Sequence, residues 1–541
     1  MVRASNVHPS LFCHSHIKQD RRTVIALARR RESPSAGSKL SALLDTQRIE
    51  REDAIHNYRP PNLVGPPIQI FNPAFAMFIR EMSKPYDTME FTAGELSKAL
   101  DFIDVSLDYY TDESYRRSKV DDLQVLGRLD SLDKLFDPKS TGPAGIVTVM
   151  CPTGKREAVI CLIEMKNEIG LGGSDPIAQA ECGYVLICSS NKVTSFLSPG
   201  LYTQSPPFLL QYELFRSASC CPMFLVGIAG PHLTVSGAIF TDRFISQRLT
   251  DYIHIGPLPT FQGKSSLDHS IRRVAQVLRA LNQATEELER HYTGLKFEAS
   301  SPYKSRGYFH HAGPPPPPVP SRPLPQSVVP PSFQEFTVDS KTYMIGYEHH
   351  LSSASEAVFK GTITCDGDQA SHAVIVKFTS TYCADAHRKL AEANRAPRLW
   401  FCEQVQSVGM YIVVMDYENG TRANPPLEDK DRIEELRMAV EMLHGENYVH
   451  GDIRGPNVLI TTNGVKLIDF DWCGKEGEVC YPADISVDAS DIGWHRDVRR
   501  GCLIEKGHDE HMFTLLTSSP YRTQGPTCDS PSVYSSVTVT V

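Results

Sequence analysis

The pattern of hydrophobic and polar positions predicts regular structure between residues 70 and 295. Residues 146–150 and 158–165 are short, β-branched apolar runs joined by a turn-like stretch, which predicts a hairpin. Apolar residues recur at helical spacing in three segments, 95–110, 175–187 and 266–291. Other short apolar runs predict strands at 210–212, 223–230 and 233–240.

A proline-rich segment separates this region from a second one at residues 336–515. Residues 311–333 contain five consecutive prolines followed by spaced ones, a composition that forms polyproline II rather than helix or sheet. We interpret the segment as a linker, and binding to an SH3- or WW-type partner is the alternative. We expect residues 1–60 to form a basic tail that is disordered or partly helical, and residues 516–541 to form a disordered tail.

Composition narrows the classes of protein that fit the chain. The 541 residues are 41% hydrophobic and 22% charged, which is enough for globular cores. A formal net charge of −9 argues against a generally basic nucleic-acid-binding surface and leaves a locally basic cleft open. The 14 cysteines lack metal-type spacing, which favours free thiols in the cytoplasm or nucleus. No apolar run reaches membrane-spanning length, so we expect no membrane partner.

The most specific pattern lies in the second region. His-Gly-Asp at residues 450–452 is followed by Asn457, and Asp-Phe-Asp follows at residues 469–471. The residue types, their order and their separation resemble the H-x-D-x-x-x-x-N catalytic loop and the D-F-G motif of protein kinases. The alternative is a capped loop with solvated carboxylates.

The resemblance implies roles for four side chains. Asp452 is expected to accept the proton of the phosphoryl-acceptor hydroxyl, or to orient that hydroxyl, on an unknown protein. Asn457 and Asp469 offer the oxygen ligands that Mg²⁺ prefers. Arg454 stands where many kinases have a lysine that contacts the transferred phosphate.

Two upstream segments fit the same order. Residues 373–378 are an apolar run with one lysine, and the resemblance implies that this Lys377 grips the phosphates of ATP. A lysine at a sheet edge is the alternative.

Residues 411–418 predict a strand and the hinge that binds adenine, where a plain core strand is the alternative. The expected nucleotide-binding residues of this hinge are Met415, Asp416 and Glu418.

Departures from the kinase pattern leave a nucleotide-gated pseudokinase open. Residues 351–358 stand where a glycine-rich loop belongs and contain no glycine. Glu392 is a candidate partner for Lys377, with His387 at the corresponding helical turn as the alternative. Residues 336–515 also resemble the short kinase-like domains that are numerous in basidiomycete fungi. This resemblance depends on Ala386-His387, Leu390-Ala391, Ala396-Pro397, residues 469–477, Tyr481-Pro482, Trp494 and His508-Asp509.

A second pattern lies at the end of the predicted strand 158–165. Glu164-Met165-Lys166 is followed by a glycine-rich turn and by Gln179 in the next predicted helix. This is similar to the E-x-K core and helix glutamine of PD-(D/E)xK restriction-endonuclease-like folds. The resemblance implies that Glu164 binds Mg²⁺, Lys166 polarises the attacking water or scissile phosphate, and Gln179 steadies both. A surface ion pair at a strand end is the alternative.

The metal-binding aspartate of such nucleases has no counterpart where the hairpin begins, at Ala144-Gly145. Asp130, Asp133 and Asp137 lie upstream and are candidate substitutes, although none has the expected local pattern. We therefore expect the fold and nucleic-acid binding, and leave cleavage open. Some fungal proteins of the Crinkler type, with such a domain before a short kinase domain, look much like this chain.

Together these patterns predict an α+β protein with two domains. A bilobal protein-kinase-like domain with a reduced C-terminal lobe is expected at residues 336–515, after an α/β restriction-endonuclease-like domain at residues 70–295. We expect an ATP- and Mg²⁺-dependent phosphotransferase of Ser/Thr type. A pseudokinase and a DNA-acting effector are the alternatives.

Overall fold

The structure is a computed structural model with two compact units. It describes residues 21–123, 145–150, 157–190, 212–259, 265–296, 329–351, 357–365, 370–487 and 492–518. The first unit comprises residues 1–378 and 403–412, and the second comprises residues 379–402 and 413–541. This division does not coincide with the predicted boundary at residues 311–333, most of which lie outside the described residues.

A seven-stranded mixed sheet forms the core of the first part of the first unit. Its strands are β1 (Ile55–His56), β2 (Gly145–Met150), β3 (Glu157–Lys166), β4 (Met223–Ala229), β5 (His232–Phe240), β6 (Phe244–Arg248) and β7 (Ile253–His254). The order is β1-β6-β5-β4-β3-β2, with β7 beside β5. β3 and β4 run parallel, and β2 pairs with β3 in the predicted antiparallel hairpin. Every residue of β4 is buried, as expected for a strand covered on both faces.

Nine described helices belong to this part of the unit. They are α1 (Arg21–Ala28), α2 (Pro34–Gly37), α3 (Leu40–Thr46), α4 (Pro73–Met82), α5 (Ala93–Leu107), α6 (Glu113–Asp122), α7 (Pro176–Ser189), α8 (Tyr212–Ala218) and α9 (Ser266–Gly294). Helix α7 starts at the predicted place because Asp175 accepts the N–H groups of Ile177 and Ala178. It packs on β3 and β4, and α9 packs on α4 and α5.

Of the two interpretations of residues 1–60, the disordered tail is wrong for residues 21–60, and helix is confirmed at α1, α2 and α3. Val24, Ile25 and Ala28 of α1 are buried, and α1 and α2 pack against α7. The basic residues are also used within the fold: Arg29 Nε donates to the carbonyl oxygen of Ser189, the last residue of α7, at 2.6 Å. An arginine is favourable there because the last carbonyls of a helix lack intrahelical partners.

The predicted strand at residues 210–212 is also wrong for its described residue, because Tyr212 begins α8. Tyr212 and Phe215 are both fully buried, one turn of helix apart. A three-residue apolar run is too short for its periodicity to distinguish a strand from the start of a helix.

A second sheet follows in the chain, with six strands. These are β8 (Glu335–Val338), β9 (Lys341–His350), β10 (Ala357–Cys365), β11 (Ser371–Thr379), β12 (Leu399–Val405) and β13 (Met410–Asp416). Their order is β12-β13-β11-β10-β9-β8. β8 to β11 form an antiparallel meander, and the strands predicted at residues 373–378 and 411–415 are confirmed as β11 and β13.

The second unit is mainly helical around short strand pairs. Its helices are α10 (Ala384–Glu392), α11 (Lys430–Gly445) and α12 (Lys506–Thr517), and its short strands are β14 (Gly420–Arg422), β15 (Tyr448–Val449), β16 (Val458–Thr461), β17 (Gly464–Leu467) and β18 (Gly474–Lys475). A buried cluster that includes Leu390, Leu436, Val458 and Phe470 holds them together. The chain is thus of the predicted mixed α+β class. No helix in the described ranges is long and apolar enough to cross a membrane.

Candidate functional site

The loop between β15 and β16 carries Asp452 and is anchored by α12. Asp509 of α12 is 1% exposed, and its carboxylate accepts the backbone N–H of His450 at 2.7 Å and of Gly451 at 2.8 Å. Gly451 has φ +81°, and a Cβ there would lie 2.9 Å from Ile504 Cδ1. A glycine is therefore required where protein kinases carry arginine.

The carboxylate of Asp452 is held by two neighbouring side chains. The amide of Asn457 donates to Asp452 Oδ2 at 2.7 Å and to its carbonyl oxygen at 3.0 Å. Arg454 pairs with both carboxylate oxygens, with Nη2 2.8 Å from Oδ2. The Arg454 guanidinium lies 5.6 Å from the ring centre of Trp494. The structure thus brings together three predicted site residues, and Arg454 neutralises Asp452 in this arrangement.

The Asp-Phe-Asp segment is tied to the same loop through His450. Nε2 of His450 lies 3.2 Å from the carbonyl oxygen of Ile468, and its ring packs edge-on against Phe470. Asp469 is partly exposed and has φ +69°. Left-handed backbone is uncommon for a non-glycine residue and concentrates at functional sites, because surrounding structure must hold it. Phe470 supplies that hold because it is completely buried.

The residue that follows this motif has a structural partner as well. Asp471 replaces the glycine of D-F-G, and its Oδ2 accepts the hydroxyl of Thr379 at 3.0 Å. The hydroxyl of Thr381 donates to the Asp471 carbonyl at 2.9 Å. Cys383, at the start of α10, donates its backbone N–H to the carbonyl oxygen of Phe470 at 3.1 Å. Residues 379–383 and 469–473 are therefore bound side by side.

His387 has a packing role in the second unit. Its ring is stacked on Phe470 with centroids 4.7 Å apart, and it bridges the hydroxyl of Tyr382 at 2.7 Å and the carbonyl oxygen of Pro397 at 2.8 Å. Burial lowers the pKa of His387 to about 4. The imidazole is therefore neutral at pH 7. The other candidate, Glu392, is an exposed residue at the end of α10.

Lys377 lies on β11, opposite Val358 of β10, and is partly buried. It belongs to the first unit, whereas the residues around Asp452 belong to the second. Its pairing with ATP or with a carboxylate stays a prediction. In the segment predicted to replace the glycine-rich loop, residues 352–356 lie outside the described residues.

Side chains in the predicted hinge are engaged within the protein. Met415 is buried, and the indole N–H of Trp400 donates to Asp416 Oδ1 at 2.6 Å. Glu418 forms an ion pair with Lys466, and both side chains are largely buried. Any contribution of Asp416 and Glu418 to nucleotide binding is therefore expected from the backbone, as the hinge interpretation implies.

The E-x-K residues of the first unit form two side-chain pairs. Gln179 of α7 donates to Glu164 Oε2 on β3 at 2.9 Å, and both side chains are buried. Lys166 Nζ lies 3.3 Å from Glu113 Oε1 at the start of α6. Gly172 has φ +75°, and a Cβ there would lie 3.6 Å from Lys166 Nζ, so the glycine-rich turn covers the amine.

Two acidic residues of these sites have roles that the sequence did not predict. Glu113 adds a second carboxylate to the E-x-K cluster, and Asp509 anchors the Asp452 loop. Each contacts residues more than 50 positions away in the chain. The upstream candidates Asp130, Asp133 and Asp137 lie outside the described residues. Among the described residues, no group of three or more His, Cys, Asp and Glu side chains is placed to hold a metal ion.

Comparison with known proteins gives little beyond this geometry. No protein-family model and no curated protein matches the chain. The chain is similar to the solved structure of the kinase PK-1 of Cydia pomonella granulovirus, with 18% sequence identity and a TM-score of 0.25. The match covers 32% of this chain and 65% of the viral kinase, which is less than two thirds of its length.

Proposed function

We propose that the second unit carries the catalytic centre of a protein-kinase-like phosphotransferase that uses ATP and Mg²⁺. The observation that supports this most is the fixed carboxylate of Asp452, bound by Asn457 and Arg454 in a loop that Asp509 anchors. His450 connects this loop to the segment that carries Asp469. Phosphoryl transfer depends mainly on positioning the reacting groups. It suits a site in which buried residues fix the carboxylate that accepts the proton, the amide and the second carboxylate.

The donor set fits a magnesium ion. Because the amide nitrogen of Asn457 donates to Asp452, its amide oxygen is left as a ligand. Asp469, partly exposed, offers a carboxylate. Asn457 and Asp469 would hold the ion, which supplies charge neutralisation at the phosphates. Asp452 orients the acceptor hydroxyl and takes its proton, and Arg454 exchanges its pairing with Asp452 for contact with the transferred phosphate.

Transfer of radiolabelled phosphate from ATP to the chain itself and to a mixture of generic protein substrates tests this function. We expect Asp452→Asn to lower the rate by at least about 100-fold, since the general base is lost while its shape is kept. Asp385→Asn is the matched control, because that carboxylate is 78% exposed on α10 of the same unit. Equal rates in the wild type and Asp452→Asn would contradict the proposal.

The pseudokinase alternative gives a different result in the same protein. It predicts that ATP raises the melting temperature of the chain, with or without Mg²⁺, while no phosphate is transferred. Asp469→Asn separates the two, because an Mg²⁺-dependent site loses its response to the metal when this ligand is neutralised. A response to ATP that Mg²⁺ and Asp469→Asn leave unchanged favours the pseudokinase.

A second activity is proposed for the first unit, metal-dependent binding or cleavage of nucleic acid. The pairing of Gln179 with Glu164, and of Lys166 with Glu113, favours it. Nicking of supercoiled plasmid DNA with Mg²⁺ or Mn²⁺ is the test. We expect Lys166→Met to abolish nicking, and Lys98→Met, an exposed lysine on α5, to leave it unchanged. If the wild type binds the plasmid but does not nick it, cleavage is contradicted and only nucleic-acid binding remains.

A further inference from the structure

Two cysteines flank the Asp-Phe-Asp segment in the second unit. Cys383 precedes α10 and is partly exposed, whereas Cys473 lies four residues after Asp469 and is buried. Cys383 packs against the buried cluster that contains Cys473. Their backbones are already joined, because the N–H of Cys383 donates to the carbonyl oxygen of Phe470.

We propose that Cys383 and Cys473 form an oxidant-responsive disulfide beside the Asp469 segment. Cys383 is the reactive partner, since it is reachable from solvent and stands at a helix N-terminus, where a thiolate is favoured. Cys473 is the resolving partner, since it is buried against Cys383. Several bonds hold residues 379–383 along residues 469–473, including those from Thr379 and Thr381 to Asp471. The two cysteines are therefore held on adjacent segments of the chain.

The electrostatics of the two sulfurs agree with this order of reaction. The hydrogen bond from Cys473 lowers the pKa of Cys383 to about 7, whereas the same contact and burial raise the pKa of Cys473 far above its usual value. Cys188 and Cys221 in the first unit provide a contrast. Both are buried, and burial raises the pKa of Cys188 well above its usual value. Among these four cysteines, Cys383 alone is partly exposed.

The chemistry balances with a peroxide as the two-electron oxidant. The Cys383 thiolate attacks hydrogen peroxide, which breaks the O–O bond, leaves a sulfenic acid on Cys383 and releases hydroxide. The thiol of Cys473 then attacks that sulfur, a disulfide forms, and water leaves. Two thiols are oxidised, one peroxide is reduced to two waters, and a dithiol reductant reverses the change.

Peptide mapping of the full chain after peroxide treatment tests the disulfide directly. Trypsin places Cys383 in peptide 378–388, Cys473 in 467–475, and Cys480 in 476–496, each with a single cysteine. We expect peptide 378–388 to be joined to peptide 467–475, with a mass two hydrogens below the summed masses of the two peptides. In Cys473→Ser, Cys383 should accumulate as a sulfenic acid that dimedone traps. In Cys383→Ser, Cys473 should stay reduced, and Cys480→Ser, at an exposed thiol, should keep the cross-link.

The effect on activity rests on the proposed function, whereas the cross-link does not. A disulfide brings the two sulfurs to about 2.05 Å and pulls the segment that carries Asp469 toward α10. Because a displacement of about 1 Å at a reacting centre can cost about 100-fold in rate, we expect oxidation to lower phosphoryl transfer at least tenfold, with recovery after dithiothreitol. If the reduced protein transfers no phosphate, the result contradicts the proposed phosphotransferase activity and leaves the proposed disulfide unaffected. A Cys383 that ends unmodified, or as sulfonic acid without the cross-link, would contradict the disulfide.

Discussion

Removal of the Asp509 carboxylate should destabilise the second unit by about 4 kcal/mol. Asp509→Ala leaves the backbone N–H groups of His450 and Gly451 without acceptors, and both residues are buried. Each unpaired buried donor costs about 1–3 kcal/mol. His444, whose Nε2 lies 3.2 Å from the carboxylate, loses a partner as well. Against a total stability of about 5–15 kcal/mol for a domain, this loss is large enough to measure easily.

The three tryptophans make the measurement specific, because Trp400, Trp472 and Trp494 all lie in the second unit. Urea unfolding followed by tryptophan fluorescence therefore reports on that unit. With a urea dependence of about 2 kcal/mol per molar, Asp509→Ala should lower the midpoint by about 2 M.

Glu510→Ala is the matched control, since this next residue of α12 is 53% exposed. A surface charge of this kind contributes at most about 1 kcal/mol. If Asp509→Ala and Glu510→Ala have midpoints within about 0.5 M of each other, the anchoring role of the carboxylate is refuted. The urea midpoint of Asp509→Asn should lie between those of Asp509→Ala and Glu510→Ala, because asparagine keeps one acceptor oxygen.

Three further predictions concern the second unit, each measured by the same fluorescence transition. An unfolded histidine binds a proton near pH 6.5, whereas buried His387 binds one only near pH 4. The free energy of unfolding should therefore fall by about 1.4 kcal/mol for each unit by which the pH is lowered from 6.5 to 4. His387→Gln should remove this contribution to the pH dependence, and an unchanged pH dependence would refute the low pKa of His387. Lys466→Met should cost about 3–5 kcal/mol by leaving Glu418 buried without its partner, and adding Glu418→Leu should restore most of it; no recovery would contradict this. Gly451→Ala should lower the free energy of unfolding more than Gly477→Ala, because both glycines have positive φ but only a Cβ at position 451 would meet neighbouring atoms. Equal losses of stability would contradict a steric contribution at position 451 and would be explained by backbone strain alone.

The parts of the fold that follow from the sequence are those set by neighbouring residues. The hairpin of β2 and β3 was predictable because β-branched apolar runs flank a turn. The start of α7 was predictable because Asp175 and Pro176 are both favoured where a helix begins. The contact of Asn457 with Asp452 also follows from short spacing, since the two residues are five positions apart in one loop.

Contacts between distant segments explain what the sequence did not predict. The basic residues in and just after the first helix resemble a solvated tail, yet Arg29 donates to the end of α7, 160 positions away. Asp509 meets His450 across 59 positions, and Glu113 meets Lys166 across 53. No local periodicity encodes such pairs, because each acidic residue is one of many at the surface of an amphipathic helix until the fold selects it.

The structure accounts separately for two departures from the kinase pattern. At position 451 the backbone has φ +81°, and a Cβ would lie 2.9 Å from Ile504 Cδ1, so a residue with a side chain is strained there. Asp509 holds this conformation because its carboxylate accepts the backbone N–H of Gly451. Arg454 stands where many kinases have a lysine, pairs with both oxygens of Asp452 and lies over the ring of Trp494. A cation beside Asp452 is therefore kept at the position of that lysine, now as a guanidinium that can pair with both carboxylate oxygens.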